Sequence, residues 1–118
     1  MTLLKDKSIS ELWDIIDQKL RVNKIPYENV QAIFQFEITD QVQGCYQVIF
    51  ENGTATVIHG NEKEPDCTLL MKEAFFKKFL TGNVNSATAF MTGKLKVKGN
   101  IGTALKLESI LKQYSFES

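Results

Sequence analysis

The spacing of apolar positions predicts a chain that begins with a helix and continues as a sheet. Apolar residues at 9, 12, 13, 16 and 20 recur with helical period, and Ser8 and Glu11 stand where a capping box would start that helix. From residue 30 the period changes to two, which predicts strands over 30–39, 45–50, 54–59 and 67–71. The Asn52-Gly53 pair predicts a tight hairpin turn, and the short connections predict an antiparallel meander.

Helical spacing returns in the second half of the chain. Phenylalanine and leucine residues at 75, 76, 79 and 80 predict a helix from residue 72, and a shorter helix is expected over 86–91. A fifth strand is expected over 94–98, followed by a last helix from 101 to about 113. We expect residues 114–118 to be loosely held, as chain ends often are.

Length and charge narrow the classes of protein. The 118 residues predict one domain over 1–118, with its core at about 8–114. Fourteen basic residues balance fourteen acidic ones, which argues against nucleic acid as a partner because phosphate neutralisation needs a basic excess. No apolar run is long enough to span a bilayer, and the first residues do not resemble a secretory signal.

The residues that usually carry catalysis or bind metals are scarce. Cys45 and Cys67 have no C-x-x-C spacing and are expected to be reduced, small apolar residues. His59 is the one histidine, expected at a strand end with no catalytic task, and no zinc-binding set is recognisable. We therefore expect no metal, no cofactor and no enzymatic activity.

Three features of the second half allow a functional and a structural interpretation. The apolar side chains of its helices form an ordinary core or line a cavity for an apolar ligand. Glu108 falls within the apolar arc of the last helix. It either forms a local ion pair or makes a polar contact with a ligand in such a cavity. Lys94, Lys96 and Lys98 protect a sheet edge or form a small cationic face for anionic lipid headgroups.

One stretch resembles the sterol carrier protein 2 (SCP-2) family. Residues 89–101 read A-F-M-T-G-K-L-K-V-K-G-N-I, similar to the family's A-F-x-x-G-K-L-K-x-x-G-N signature before a final helix that contains K-L, here Lys106-Leu107. Residues 32–39 and the D-x-T at Asp66–Thr68 also resemble the family, and the resemblance spans about 8–114.

The resemblance implies a fold and a set of ligand contacts. It implies a five-stranded, mostly antiparallel sheet with helices packed on one face, enclosing a hydrophobic tunnel for a fatty acid, acyl-CoA, phospholipid or sterol-like ligand. The residues expected to contact that ligand lie on the first strand and on the later helices. They are Phe34, Phe36, Phe75, Phe79, Ala87, Phe90, Met91, Leu105, Glu108 and Leu111.

The function expected from these observations is a non-catalytic, cytoplasmic lipid carrier. Peroxisomal relatives end in a targeting tripeptide ending Lys-Leu, whereas this sequence ends Phe116-Glu117-Ser118. Two alternatives stay open: a protein-interaction module with a closed core, and a small acyl-thioester hydrolase in which Glu108 would be the visible catalytic carboxylate.

Overall fold

The secondary structure is that of an α+β chain, as expected from the sequence. The computed structural model describes residues 7–81, 85–114 and 116, apart from the side chains of Thr81, Ser86 and Ala87. No helix in these ranges is long and apolar enough to cross a membrane. In chain order the elements are α1 (Ile9–Val22), a 3₁₀ turn (Ile25–Tyr27), β1 (Ala32–Ile38), β2 (Cys45–Glu51), β3 (Thr54–His59), β4 (Cys67–Met71), α2 (Glu73–Thr81), α3 (Ser86–Met91), β5 (Lys96–Gly99) and α4 (Ile101–Leu111).

The first helix begins at the predicted capping box. The Ser8 hydroxyl accepts a hydrogen bond from the Glu11 amide at 3.1 Å, and the Glu11 carboxylate accepts one from the Ser8 amide at 2.9 Å. These two bonds satisfy donors that every helix start leaves unpaired. The helix buries Leu12, Trp13 and Ile16 against the sheet, so its apolar stripe is the surface that the periodicity predicted.

The five strands form one sheet in the order β3-β2-β1-β4-β5. The pairs β1–β2, β2–β3 and β4–β5 are antiparallel, and β2 turns into β3 at Asn52 and Gly53, which both have positive φ. The expected meander is wrong at β4. That strand does not pair with β3 but returns to the far side of β1 and lies parallel to it.

A buried glutamine fixes the connection that makes this crossing. Gln47 lies on the sheet face opposite the helices, because its strand neighbours Tyr46 and Val48 point into the core. Its side-chain amide bonds the Lys63 backbone twice, donating to the carbonyl at 2.7 Å and accepting from the amide at 3.1 Å. The segment between β3 and β4 therefore runs over the outer face of the sheet.

The inner face of the sheet is covered by helices through a cluster of aromatic rings. Trp13 stacks on Tyr46 and on Phe76, with ring centroids 4.8 Å and 5.3 Å apart. Phe36 meets the edge of Trp13 at 5.1 Å. Since Trp13 comes from α1, Phe76 from α2 and the other rings from the sheet, these contacts join both layers into one core.

The fifth strand is shorter than expected. The backbone amides of Lys94 and Leu95 both donate to the carbonyl of Ala89, at 2.9 Å and 3.2 Å, so these residues close α3 instead of joining the sheet. The ladder with β4 begins at Lys96. Lys96 and Lys98 therefore share the outer face of an edge strand, and the expectation that Lys94 belongs to the same strand face is wrong.

Two residues of the segment expected to be loose, Tyr114 and Phe116, are packed against the core, whereas residues 115, 117 and 118 lie outside the described part of the structure. The Tyr114 hydroxyl donates to the Asn23 carbonyl at 2.6 Å, just beyond the last residue of α1. Phe116 is 4% exposed and lies 5.9 Å from the Tyr114 ring. Residues beyond α4 thus add to the core.

Replacing Tyr114 by Phe keeps the ring but removes this hydrogen bond, so we expect a loss of about 1 kcal/mol in the free energy of unfolding at neutral pH. Burial, with a smaller contribution from Tyr27, raises the pKa of Tyr114 from 10.0 to about 12. A raised pKa favours the neutral phenol in the folded chain. The stabilisation of the folded chain that comes from the neutral phenol is complete below pH 10.0 and is lost as the pH rises toward about 12.

Urea unfolding of wild type and Tyr114→Phe, at neutral pH and at about pH 11, measures the loss of the hydrogen bond and its dependence on pH. The difference between wild type and Tyr114→Phe should shrink at the higher pH, whereas Tyr114→Leu, which also removes the ring, should cost more at neutral pH. Equal stability of wild type and both variants would show that the end of the chain contributes nothing to the fold.

Candidate functional site

An apolar cleft lies where β4 and β5 meet the helices of the second half. Its volume is about 170 Å³, and none of the described residues that line it has a titratable side chain. The lining residues are Leu69, Phe79, Phe90, Met91, Leu95, Val97, Ile101, Ala104 and Leu105. The cleft can therefore exclude water from an apolar group but offers it no charge.

The strand register explains why the floor of this cleft is apolar. Leu69 of β4 stands opposite Val97 of β5, and both face the helices. The neighbouring positions Leu70 and Lys96 face the other side of the sheet. The alternation of Lys96, Val97 and Lys98 along β5 thus turns Val97 to the cleft and the two lysines to the outside.

Exposed apolar residues surround the mouth of the cleft. Phe90 is 40% exposed and Met91 85% exposed on α3, while Ile101 and Leu105 of α4 are each 45% exposed. Single exposed apolar residues are common in soluble proteins, but several around one opening mark a binding surface. The side of α4 that carries Leu105 therefore faces the cleft mouth.

A second apolar space, in the middle of the core, is almost filled. Its volume is about 10 Å³, and none of its lining residues is shared with the cleft. Phe36 and Leu111 line this void together with the Trp13 ring, whose indole N–H has no hydrogen-bond partner among the described residues. The continuous tunnel implied by the resemblance stays a prediction.

The structure brings four of the ten expected contact residues to the cleft: Phe79, Phe90, Met91 and Leu105. Phe36 and Leu111 lie at the central void instead. Phe34 is fully buried against the edge of the Phe50 ring at 5.8 Å. Phe75 lines a separate groove, described below, and the side chain of Ala87 lies outside the described part of the structure.

Glu108 is an ion-pair partner and does not line the cleft. Its Oε1 lies 3.8 Å from Nζ of Lys112, one helical turn further along α4, and its side chain is 15% exposed. This arrangement agrees with the structural interpretation of Glu108. The sheltered side of α4 is formed by Ala104, Leu107, Ile110 and Leu111.

Five lining residues were not among the expected contacts: Leu69, Leu95, Val97, Ile101 and Ala104. A signal for one of them was present, because Val97 alternates with Lys96 and Lys98 along β5 and therefore points away from them. Leu69 could be found only by knowing that β4 pairs with β5.

The two thiols and the histidine take no part in the cleft. Cys45 and Cys67 are both free, and burial raises the pKa of each, which keeps them protonated. His59 ends β3 and stacks on Tyr46 at 4.4 Å. In the part of the chain that the structure describes, no group of three His, Cys, Asp or Glu side chains could hold a metal ion.

The fold and the cleft together define an α+β protein with an apolar cavity between an edge strand and its covering helices. Residues 15–112 match the model of the SCP-2 sterol transfer family, and the chain belongs to that family. The family predicted from the sequence, with its mostly antiparallel five-stranded sheet, is thereby confirmed.

Relatives and solved structures agree with this assignment. Sterol carrier protein 2 of Homo sapiens is 35% identical over 86 residues, which are 70% of this chain and 16% of the human protein. Hydroxysteroid dehydrogenase-like protein 2 of Xenopus tropicalis is 38% identical over 93 residues, 78% of this chain and 22% of that protein. The chain thus spans less than a quarter of these relatives.

Among solved structures, sterol carrier protein 2 from Yarrowia lipolytica, in its apo form, superposes with a TM-score of 0.67. The match covers 86% of this chain and 87% of the Yarrowia chain at 27% sequence identity. Sheet and helices are therefore arranged alike in the two proteins.

The buried and exposed walls of the cleft should differ in their effect on stability. Phe79 is 4% exposed, so Phe79→Ala should lower the free energy of unfolding by about 3 kcal/mol through lost burial and the cavity it leaves. Met91 is 85% exposed, so Met91→Ala should change it by less than about 0.5 kcal/mol. Denaturant unfolding measures both values, and comparable losses would contradict the placement of Met91 at the mouth.

Proposed function

We propose that this chain is a carrier that takes the apolar part of a lipid into the cleft between β4, β5 and the helices. The observation that supports the proposal most is the lining of the cleft, which is wholly apolar and partly open to solvent. Aliphatic and aromatic linings of this kind are typical of sites for apolar ligands. The proposed ligand classes are a fatty acid, an acyl-CoA, a phospholipid or a sterol-like molecule, and the names of the relatives mention the last of these.

The size of the cleft implies that binding needs some movement. Its volume of about 170 Å³ is below the ~300–1,000 Å³ that is usual for small-molecule sites. The helix α3 has six residues, and two of them, Phe90 and Met91, form part of the cleft wall while remaining exposed. We propose that α3 moves outward as an acyl chain enters, because each methylene that leaves water contributes about 0.8 kcal/mol.

The proposal assigns the ligand contacts to Phe79, Phe90, Met91 and Leu105, with the strand residues of the lining as the floor. Phe36 and Leu111 would contact a ligand if the opened cleft reached the central void. Of the other expected residues, Phe34, Phe75 and Glu108 lie outside both linings and would act as support, and Ala87 stays a predicted contact.

Carriage without catalysis fits the chemistry of the cleft better than hydrolysis does. A thioester hydrolase needs a side chain that moves a proton near the ligand and donors that hold an oxyanion. The described lining offers no such side chain, and Glu108, the candidate carboxylate, pairs with Lys112 instead. We extend the proposal to a non-catalytic role in the cytoplasm, where thiols such as those of Cys45 and Cys67 stay reduced.

A charged residue at the cleft mouth should prevent lipid uptake. Leu105→Glu places a carboxylate beside the entering chain, and we expect it to weaken the binding of a fluorescent fatty acid by about tenfold or more, since the lost burial and the charge act together. Titration of delipidated protein, after mass spectrometry of what copurifies with it, gives the affinity.

The matched control is Val42→Glu, which makes the same exchange at a fully exposed position outside the lining. It should bind as wild type does. If folded, delipidated wild type takes up no lipid, the carrier proposal fails, and the exposed residues around the mouth would then favour the protein-interaction alternative.

We propose further that the lysines at the edge of the sheet make transient contact with a membrane surface. Lys96 and Lys98 project from the outer face of the edge strand β5, and Lys94 precedes it. Lysines at this position also prevent another strand from pairing with the edge. Each lysine near an anionic bilayer contributes about 1 kcal/mol of attraction, which is enough to orient a carrier for delivery.

Reversing one of these charges tests the membrane contact separately from the protection of the sheet edge. We expect Lys98→Glu to reduce cosedimentation with phosphatidylglycerol vesicles by about tenfold, because it removes one attraction and adds one repulsion. Lys24→Glu makes the same charge change on the connection between α1 and β1 and should have little effect. An equal reduction by both variants would mean that no particular face contacts the vesicle.

A further inference from the structure

Positive charge is concentrated in one part of a chain whose net charge is zero. Residues 74–107 contain six lysines and no aspartate or glutamate. The acidic residues that balance them all lie before or after this segment. The helices α2 and α3, the strand β5 and most of α4 therefore form the basic part of the molecule.

Four lysines from different elements line one open groove. This groove has a volume of about 950 Å³, and we call it the cationic groove. Lys72 stands between β4 and α2, Lys78 on α2, Lys94 between α3 and β5, and Lys96 at the start of β5. No carboxylate is among its described lining residues, so four lysine side chains from different elements border one space.

The carboxylates that adjoin the groove along the chain are occupied elsewhere. Glu73 pairs with Lys77 at 2.8 Å. Asp40 accepts a hydrogen bond from the Glu73 amide at 2.8 Å and thereby caps the start of α2. Neither carboxylate lines the groove next to Lys72.

We infer that the cationic groove binds a phosphate-bearing anion. Ammonium groups attract and donate hydrogen bonds to phosphate oxygens, and several that converge on one space favour a multiply charged group over a single carboxylate. The hydroxyls of Thr39 and Thr88 in the lining add further hydrogen-bond donors, whereas the Thr92 hydroxyl already donates to the carbonyls of Thr88 and Ala89. The half-buried ring of Phe75 supplies an apolar surface for the part of the ligand next to the phosphate.

The helix α3 separates this groove from the apolar cleft. Thr88 and the cap residue Thr92 line the groove, whereas Phe90 and Met91 line the cleft. A phosphate ester with an apolar chain could thus place its charge on one side of α3 and its chain on the other. This last step rests on the proposed carrier function, while the binding of phosphate in the groove does not.

Two soluble probes test the groove and distinguish the sources of the phosphate. Inorganic pyrophosphate represents a free phosphate ester, and dihexanoylphosphatidic acid below its micelle concentration represents a lipid headgroup. Either probe should shift the backbone amide resonances of Thr88, Thr92 and Gly93 in a saturable way. Dihexanoylphosphatidylcholine, which has no net charge, should shift them much less.

Charge reversals within and outside the groove provide the controls. Lys72→Glu and Lys94→Glu should each weaken binding of the effective probe by tenfold or more. Lys24→Glu makes the same change in net charge outside the groove lining and should leave the affinity within about twofold, because a separate surface charge is screened by salt. The amide spectrum of each variant without a probe shows whether it is folded.

The outcomes separate the two proposals. Binding of pyrophosphate supports a free phosphate ester as ligand, and binding of the phosphatidic acid alone supports a lipid headgroup. The inference is overturned if folded wild type binds neither probe, or if Lys24→Glu weakens binding as much as Lys94→Glu. Fatty-acid uptake, measured on the same variants, reports on the cleft alone, so each proposal can fail while the other stands.

Discussion

The arrangement of the sheet depends on a single buried amide side chain. Gln47 is fully buried on the outer face of the sheet, where an unpaired amide would cost several times what a satisfied one contributes. Its bonds to both backbone groups of Lys63, and a third at 2.9 Å to the side chain of Gln35, imitate the pairing of a further strand. The segment after β3 is thereby held across β2, and the chain re-enters the sheet on the far side of β1.

The position of both candidate sites follows from that crossing. Because β4 lies beside β1 and not beside β3, the helix α2 that follows it is brought over the centre of the inner face, where Phe76 reaches Trp13 and Phe36. The other side of β4 stays available for β5. The apolar cleft and the cationic groove both form around this pair of strands, with α3 between them.

Features set by neighbouring residues were predictable from the sequence. The capping box at Ser8, the turn at Asn52-Gly53 and the bounds of α3 depend on local backbone chemistry, and the structure has all three. The crossing of β4 was not predictable in this way. In a period-two pattern Gln47 has the appearance of a residue facing water, and nothing local shows that a distant backbone segment covers it.

The candidate site was only partly predictable for a similar reason. The helical pattern correctly grouped Phe79 with the apolar residues, but it could not distinguish a side chain at an open cleft from one in a filled core. Phe36 and Leu111 are as apolar as Leu105, yet they lie at a nearly closed void because rings from several elements meet there. Which spaces stay open depends on packing between elements distant in sequence.

The contact between the end of the chain and α1 bears on how a minimal fragment should be cut. The family match covers residues 15–112, and trimming to those limits would remove the cap and the first six residues of α1, including Trp13, as well as Tyr114 and Phe116. The Asn23 carbonyl would lose its donor, and the rings of the core would be open to water on that side. A boundary drawn from similarity alone would thus give a less stable piece than the chain itself.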